Sequence, residues 1–503
     1  MLLRPNRDEA FVVLGTVGKA LLVLGLATFG LAALALLAGD VDSAGALAFG
    51  ASLGVGAGTW TRMHTGSRRR LTWTTGVVAA TTSWVACSLT ASVPLHLSGH
   101  YASYPDALFE ALSGLTTTGL TLVQDIDHMA PAMALYRHLL ELSGALATVV
   151  VGLTLLTAAT ATSSSLDPSD VRDERIMPSV RRMWRIVAEV AGVVIGVGLV
   201  TTSIALAVAG VRGWDVLIHG ISLTISAAAT GGFALTSHSV GYYHSALVEI
   251  ALIPLMLAGA VSFMLHRAAW RGERWPLTRE LEVRVLVASI LAISAVVMLG
   301  LGRSGSLGDV VPLFRRGLFT TIAAHTTTGL HNVSPRLLVT DWGLLAPAGL
   351  VAAMAVGGMT GSTAGGLKAL RVGLIGKGIA ADVRRVLLPE AAVVVSTFTW
   401  GRRRKLEHGH VRSSATLLLI LLVASLGAAT AVLFLDSTVN LTEALFMAVS
   451  AASNAGQTVG TLTPSDPIAL KAGYGLLMLL GRLEWIAVFA TFGFIYASLR
   501  GRQ

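Results

Sequence analysis

Four short stretches rich in glycine, threonine and serine recur along the chain, each between hydrophobic runs, and they constrain the fold more than any other feature. They read SGLTTTGLT at 113–121, SAAATGGFAL at 226–235, AAHTTTGLHNV at 323–333 and SAASNAGQTVG at 450–460. Aligned on Gly119, Gly232, Gly329 and Gly456, each carries a small residue six positions earlier: Ser113, Ser226, Ala323 and Ser450. The glycines recur at about a hundred residues, the length of one module of an internally duplicated membrane protein. Inside a bilayer, backbone leaves a helix only where protein or a water-filled cavity satisfies its polar groups. Glycine permits the φ > 0 conformations that turn successive carbonyls the same way, and threonine adds oxygen without charge. The candidate filter residues are Thr116, Thr117, Thr118 and Gly119, then Ala229, Thr230, Gly231 and Gly232. The third and fourth sets are Thr326, Thr327, Thr328 and Gly329, and Ser453, Asn454, Ala455 and Gly456. Four copies around one axis give stacked rings of neutral oxygen, which replace the hydration shell of a large monovalent cation. A Gly/Thr loop repeated by duplication alone is the competing reading.

The surroundings of these stretches are apolar. Hydrophobic residues make up 53% of the chain and charged ones 13%, about half the usual charged share. The expected fold is an all-α polytopic membrane protein. A spanning helix needs about 20 apolar residues, which gives ten candidates, roughly 11–38, 44–60, 71–95, 131–160, 186–211, 245–266, 285–301, 342–370, 415–435 and 470–499. Half-length segments at 104–115, 215–225, 309–324 and 440–452 each lead into a Gly/Thr stretch. The plan is two leading helices (1–65) and four membrane–pore–membrane modules, 66–165, 166–270, 271–385 and 386–503, around a pseudo-fourfold pore. Cys87 is the one cysteine, so neither an intrachain disulfide nor a Cys-based zinc site is available. No cleavable signal peptide is evident, since 11–38 is too long for one.

Lys/Arg clusters at 62–70, 172–185, 267–284, 368–385 and 402–412, with Arg4, Arg7, Arg500 and Arg502, fall on one side if the ten spans alternate. That side is the cytoplasm, and both termini lie there. The half-helices are then external, near Asp106, Glu110, Asp125, Asp127, Asp215, Asp309, Asp436 and Glu443, which raise the local cation concentration unless they are ordinary solvated loop residues. Arg303, Arg315 and Arg316 do not fit this pattern.

Each inner span carries a small-residue mark: Ser143-Gly144-Ala145, Ala258-Gly259-Ala260, Gly357-Gly358-Met359 and Leu480-Gly481-Arg482. The first two read as helix packing. The third continues as GGMTGSTAGGLKALR, and so many glycines with Thr360, Ser362 and Thr363 do not hold a continuous helix. Gly357, Gly358, Thr360, Gly361, Ser362, Thr363, Gly365, Gly366 and Lys368 are therefore expected to form an intramembrane gate loop. It is not a phosphate-binding loop, because Leu367 precedes Lys368. Arg482 is expected at the axis below the filter, with a structural ion pair to Glu484 or a neighbouring helix as the alternative. Arg137 and Glu141 stand at i, i+4 and read as a structural pair. Neither the glycines at 54–58 nor the histidines at 408 and 410 make a dinucleotide or metal site.

With these motifs in hand, the chain resembles the Trk/Ktr/HKT potassium-transporter superfamily, in its TrkH-like branch, over essentially its whole length. SGLTTTG, ATGGF, TTTGL and SNAGQ carry the resemblance, with Tyr136-Arg137, GGMTGSTAGGLK and GRLEW. The resemblance implies a transporter of the bacterial plasma membrane, with potassium as the transported ion at the filter residues. Four filter glycines imply potassium preference, because sodium-preferring plant relatives often have serine at the first. It also implies a homodimer and a cytosolic TrkA-like nucleotide-binding subunit, so that NAD or ATP acts only through that partner. Filter two lacks the family's usual Asn, filter three has His325 before its threonines, and filter four has Gln457 after its glycine. The lipid bilayer is the other partner; no nucleic acid and no covalent cofactor are expected. The alternative on the same architecture is sodium or unselective monovalent cation transport, or cation symport. An enzyme would need a nucleophile–base pair or metal ligands at depth, and none is apparent.

Overall fold

The computed structural model describes residues 6–65, 71–156, 180–273, 279–305, 310–389, 397–400, 403–406, 408–435, 439–483 and 485–500. Among them all regular structure is helical except one antiparallel hairpin, Thr397–Trp400 paired with Arg403–Leu406. Its second strand lies within the Lys/Arg cluster at 402–412.

Helices α1 (Arg7–Leu37) and α2 (Val41–His64) pack through glycine. A Cβ on Gly58 would strike the carbonyl of Gly18 and the amide of Leu22. Close backbone approach of this kind drives helix association where lipid removes the hydrophobic difference.

The first module follows as α3 (Trp73–Leu97), the half-helix α4 (Tyr104–Leu115) and the inner helix α5 (Pro131–Val151). The second is α6 (Val180–Val208), half-helix α7 (Asp215–Ala229), and α8 (Ala246–Ala260) with α9 (Phe263–Trp270). Next come α10 (Leu281–Ser304), half-helix α11 (Val310–His325), α12 (Leu345–Val356) and α13 (Ala369–Leu387). The last is α14 (His408–Leu435), half-helix α15 (Leu441–Ala452), α16 (Ile468–Arg482) and α17 (Ile486–Arg500).

Among the described residues, six helices are long and apolar enough to cross a membrane, or eight if each of two bent pairs is one span. Ten were expected. Helix α2 carries Gly, Ala and Ser where α1 carries Leu and Val, and the third inner span stops at Gly357 after 12 helical residues. The apolar windows of α1, α6, α10 and α14 are only 28–33% buried, against 67% for α3 and 56% for α5. Helices α1, α6, α10 and α14 thus form the lipid-facing shell, while α3 and α5 lie within it.

Every inner helix departs from regularity near its small-residue mark, although the sequence pointed only to the third. Helix α5 passes into a π turn at Gly152–Leu156. Helices α8 and α9 meet at 103°, as do α16 and α17, and the third opens into a loop at 357–368. The first two marks pack as read, and the fourth packs in the same way: a Cβ on Gly144, Gly259 or Gly481 would collide with the carbonyl of Leu115, Ala228 or Ala452, at the end of the half-helix in the same module.

Candidate functional site

All four half-helices end in one motif. In the first, Thr117 N donates to Gly114 O (2.9 Å) and Thr118 N to Ser113 O (2.8 Å). The pair recurs as Thr230 to Ala227 and Gly231 to Ser226, Thr327 to Ala324 and Thr328 to Ala323, and Asn454 to Ala451 and Ala455 to Ser450. This is the Schellman termination, whose turning residue adopts the left-handed conformation and is usually glycine. Here it is Thr117 (φ +49°), Thr230 (+52°), Thr327 (+53°) and Asn454 (+52°). A β-branched residue is strained in that region, by about 1–2 kcal/mol. The small residue six before each glycine is the one whose carbonyl closes the motif.

Two positions later each chain turns left-handed again, at Gly119 (φ +83°), Gly232 (+84°), Gly329 (+79°) and Gly456 (+66°). These glycines touch in order. A Cβ on Gly119 would collide with the carbonyl of Gly231, one on Gly232 with Thr328, one on Gly329 with Ala455, and one on Gly456 with Thr118. The four segments therefore form a closed ring in chain order, with equivalent carbonyls in equivalent places. Among the described residues no protein donor is bonded to the carbonyls of Thr118, Gly231, Thr328 or Ala455. Buried carbonyls are ordinarily paired, and four orphaned acceptors in one ring suit a dehydrated cation.

Each seam of the ring has a polar tie. Between the first and second segments, Arg137 of α5 donates Nε to Glu110 Oε1 (2.8 Å) and Nη1 to Ala234 O (3.1 Å). Glu110 Oε2 also accepts from Leu122 N at 3.0 Å. Arg137 and Glu141 do not close on one another as expected; Glu141 is bonded to His138 and to Phe233 N. Between the second and third, Arg315 grips Glu249 with two bonds of 2.8 and 2.9 Å, which accounts for one external arginine. Between the third and fourth, Gln457 Nε2 donates to Leu330 O (3.4 Å). Between the fourth and first, Lys471 Nζ meets Asp106 Oδ1 at 2.5 Å, with both side chains buried. His325 turns away from the ring to Ser289 Oγ (2.8 Å).

The acids expected at the mouth divide accordingly. Asp106 and Glu110 are buried in seams, and Glu443 forms a capping box with Asn440 at the start of α15. Asp125 is exposed, and its bond to His128 (2.8 Å) holds the carboxyl below its ordinary range. Asp127 accepts from Ser237 N (2.9 Å) and joins the loops after the first two segments. Asp309, Asp436 and Glu484 lie outside the described residues. Lys471, Glu249 and His138 were missed in sequence; a charged residue inside an apolar span was the available signal.

The 357–368 loop lies directly against the ring. Gly365 N donates to Thr327 Oγ1 (2.7 Å) and Gly366 N to Ser453 O (2.9 Å). Thr230 Oγ1 meets Thr363 Oγ1 at 3.1 Å, and Thr363 N reaches Gly259 O at 3.1 Å. Lys368 Nζ bonds the carbonyl of Ala364 within the loop. From outside the loop, Glu282 Oε1 accepts Thr360 N (2.9 Å). Arg482 donates Nη1 to Thr363 O (2.8 Å) and Nε to Thr148 Oγ1 (2.7 Å), while among the described residues its Nη2 has no partner. Arg482, Lys368, Thr148 and the loop glycines 361 and 365 line a common small cavity.

Comparison with known proteins agrees with this architecture. The chain is 31% identical over 363 residues to the Trk system potassium uptake protein TrkH of Halomonas elongata, covering 69% of this chain and 71% of that one. It is 27% identical over 423 residues to an uncharacterized cation transporter of Methanocaldococcus jannaschii, covering 84% and 82%. Its fold superimposes on the crystal structure of the potassium transporter TrkH from Vibrio parahaemolyticus with a TM-score of 0.79 at 22% identity, over 95% and 97% of the two chains. Residues 45–498 match the family model TrkH, described as a cation transport protein, so this multi-pass membrane protein belongs to the TrkH cation transport family.

Proposed function

We propose that the protein takes up potassium across the bacterial plasma membrane through the ring at Gly119, Gly232, Gly329 and Gly456. The observation that carries this reading is the set of four orphaned carbonyls at Thr118, Gly231, Thr328 and Ala455. A potassium ion replaces its hydration shell with such oxygens, and the named activity of the Halomonas relative supports the choice of ion. Potassium is cargo here, and the role is transport without enzyme chemistry. The 357–368 loop, bonded to Thr327 and Ser453 beneath the ring, obstructs the path and acts as its gate. Expression in a bacterium lacking potassium uptake tests the reading. Growth at low potassium is expected, with sodium unable to compete; growth restored only by sodium, or none from an abundant protein, contradicts it.

The chain works as a homodimer with a cytosolic TrkA-like subunit that brings nucleotide control, NAD or ATP. The phrase "Trk system" in the relatives' names supports a multicomponent assembly, and the basic segments at 172–185, 267–284 and 402–412 suit an acidic partner. Co-purification from native membranes is expected to recover a nucleotide-binding protein; its consistent absence removes this part of the proposal.

A further inference from the structure

Three of the four ring segments carry a side chain immediately before the glycine: Thr118, Thr328 and Ala455. In the first and third, that threonine pairs its hydroxyl with Thr116 or Thr326 at 2.8 Å. The second segment has Gly231 there, and Ala229 two positions earlier, so it lacks both hydroxyls. Its missing side chain is replaced from α5. A Cβ on Gly231 would press into the carboxylate of Glu141, meeting Oε1, Cδ and Cγ. The same Oε1 accepts Phe233 N at 2.8 Å. Glu141 thereby contacts the backbone on both sides of Gly232.

Glu141 and its partner His138 are fully buried, with Nδ1 at 2.9 Å from Oε2. Arg137, one turn earlier on α5, is engaged by the fully buried Glu110. The carboxyl of Glu141 thus sits directly behind Gly231, whose carbonyl abuts Gly119.

We propose that Glu141 is a specificity-determining part of the second segment, supplied in place of the missing side chain. It builds the wall behind Gly231, and in its carboxylate form it raises the affinity of the ring for its cation. The inference rests on the ring being the selectivity filter.

The test is flux of potassium against sodium in vesicles of the purified full chain. Glu141→Gln keeps an acceptor for Phe233 N and removes the charge. It is expected to raise the half-saturating potassium concentration several-fold, more than it lowers the maximal rate. Glu141→Ala and Gly231→Ala are each expected to lower selectivity, by opening the wall and by collision. The double variant puts a methyl group where the carboxylate was, so selectivity recovers towards wild type while affinity stays low. Additive losses in the double variant, or an unchanged half-saturation in Glu141→Gln, overturn the proposal. Gly119→Ser separates the two levels. If it shifts ion competition while Glu141→Gln leaves the half-saturation unchanged, only the role of Glu141 fails; if Gly119→Ser changes nothing either, the filter reading fails.

Discussion

The α-carbon of Gly456 rests against the carbonyl of Thr118, and this contact joins the last Gly/Thr stretch to the first. The chain between them supplies two further stretches in the same relation, so the ring is closed by sequence-distant backbone and admits no Cβ at any of its four glycines. Steric need and conformational need coincide there, since each of the four has a positive φ.

The seam beside that contact is held by Lys471 and Asp106, 2.5 Å apart and buried. Removing one partner of a buried pair leaves the other charge uncompensated, typically at about 3–5 kcal/mol. Lys471→Met is expected to lower the thermal midpoint of the detergent-purified protein sharply, and Lys471→Met with Asp106→Asn to restore much of the loss. A midpoint unmoved by the single substitution contradicts the tie.

Arg482 reaches Thr363 O beneath the ring and lines the cavity there with Lys368 and Thr148. A fixed positive charge at ~6 Å from a cation, in an effective dielectric of ~20, opposes it by a few kcal/mol. Arg482→Ala removes both the charge and the bond to the loop, so maximal potassium uptake per molecule is expected to rise at least tenfold at normal membrane abundance. Lower abundance with no rise in rate per molecule identifies the arginine as a strut to Thr148 and nothing more.

The loop can be loosened more gently from the ring side. Thr327→Val keeps the shape of the turning residue and removes the acceptor for Gly365 N. Basal flux is expected to increase severalfold, and more so when part of residues 359–365 is deleted. Folded variants with wild-type basal flux would mean that the loop is packing only.

Much of this was legible in sequence because it depends on local composition. The spacing of Ser113 and Gly119, repeated at Ser226 and Gly232, Ala323 and Gly329, and Ser450 and Gly456, is the footprint of one helix-ending motif. The loop at 357–368 announced itself by its glycines. The left-handed threonines did not, since Thr117, Thr230 and Thr327 are unfavourable there and only the surrounding packing imposes the conformation. The partners of Arg137, Lys471 and Arg315 were also hidden, because each lies on a different element: Glu110, Asp106 and Glu249. Gly231 leaves the second stretch one side chain short, and the group in that space, Glu141, comes from α5, so the stretch by itself does not reveal it.

The central claim is that the ring of Gly119, Gly232, Gly329 and Gly456 selects potassium. The direct measurement is competition between potassium and sodium for flux through four variants, each carrying one of these glycines as serine. Gly119→Ser, and each of the others that folds, is expected to lower the preference for potassium over sodium by tenfold or more. Four folded variants with the wild-type preference would contradict it.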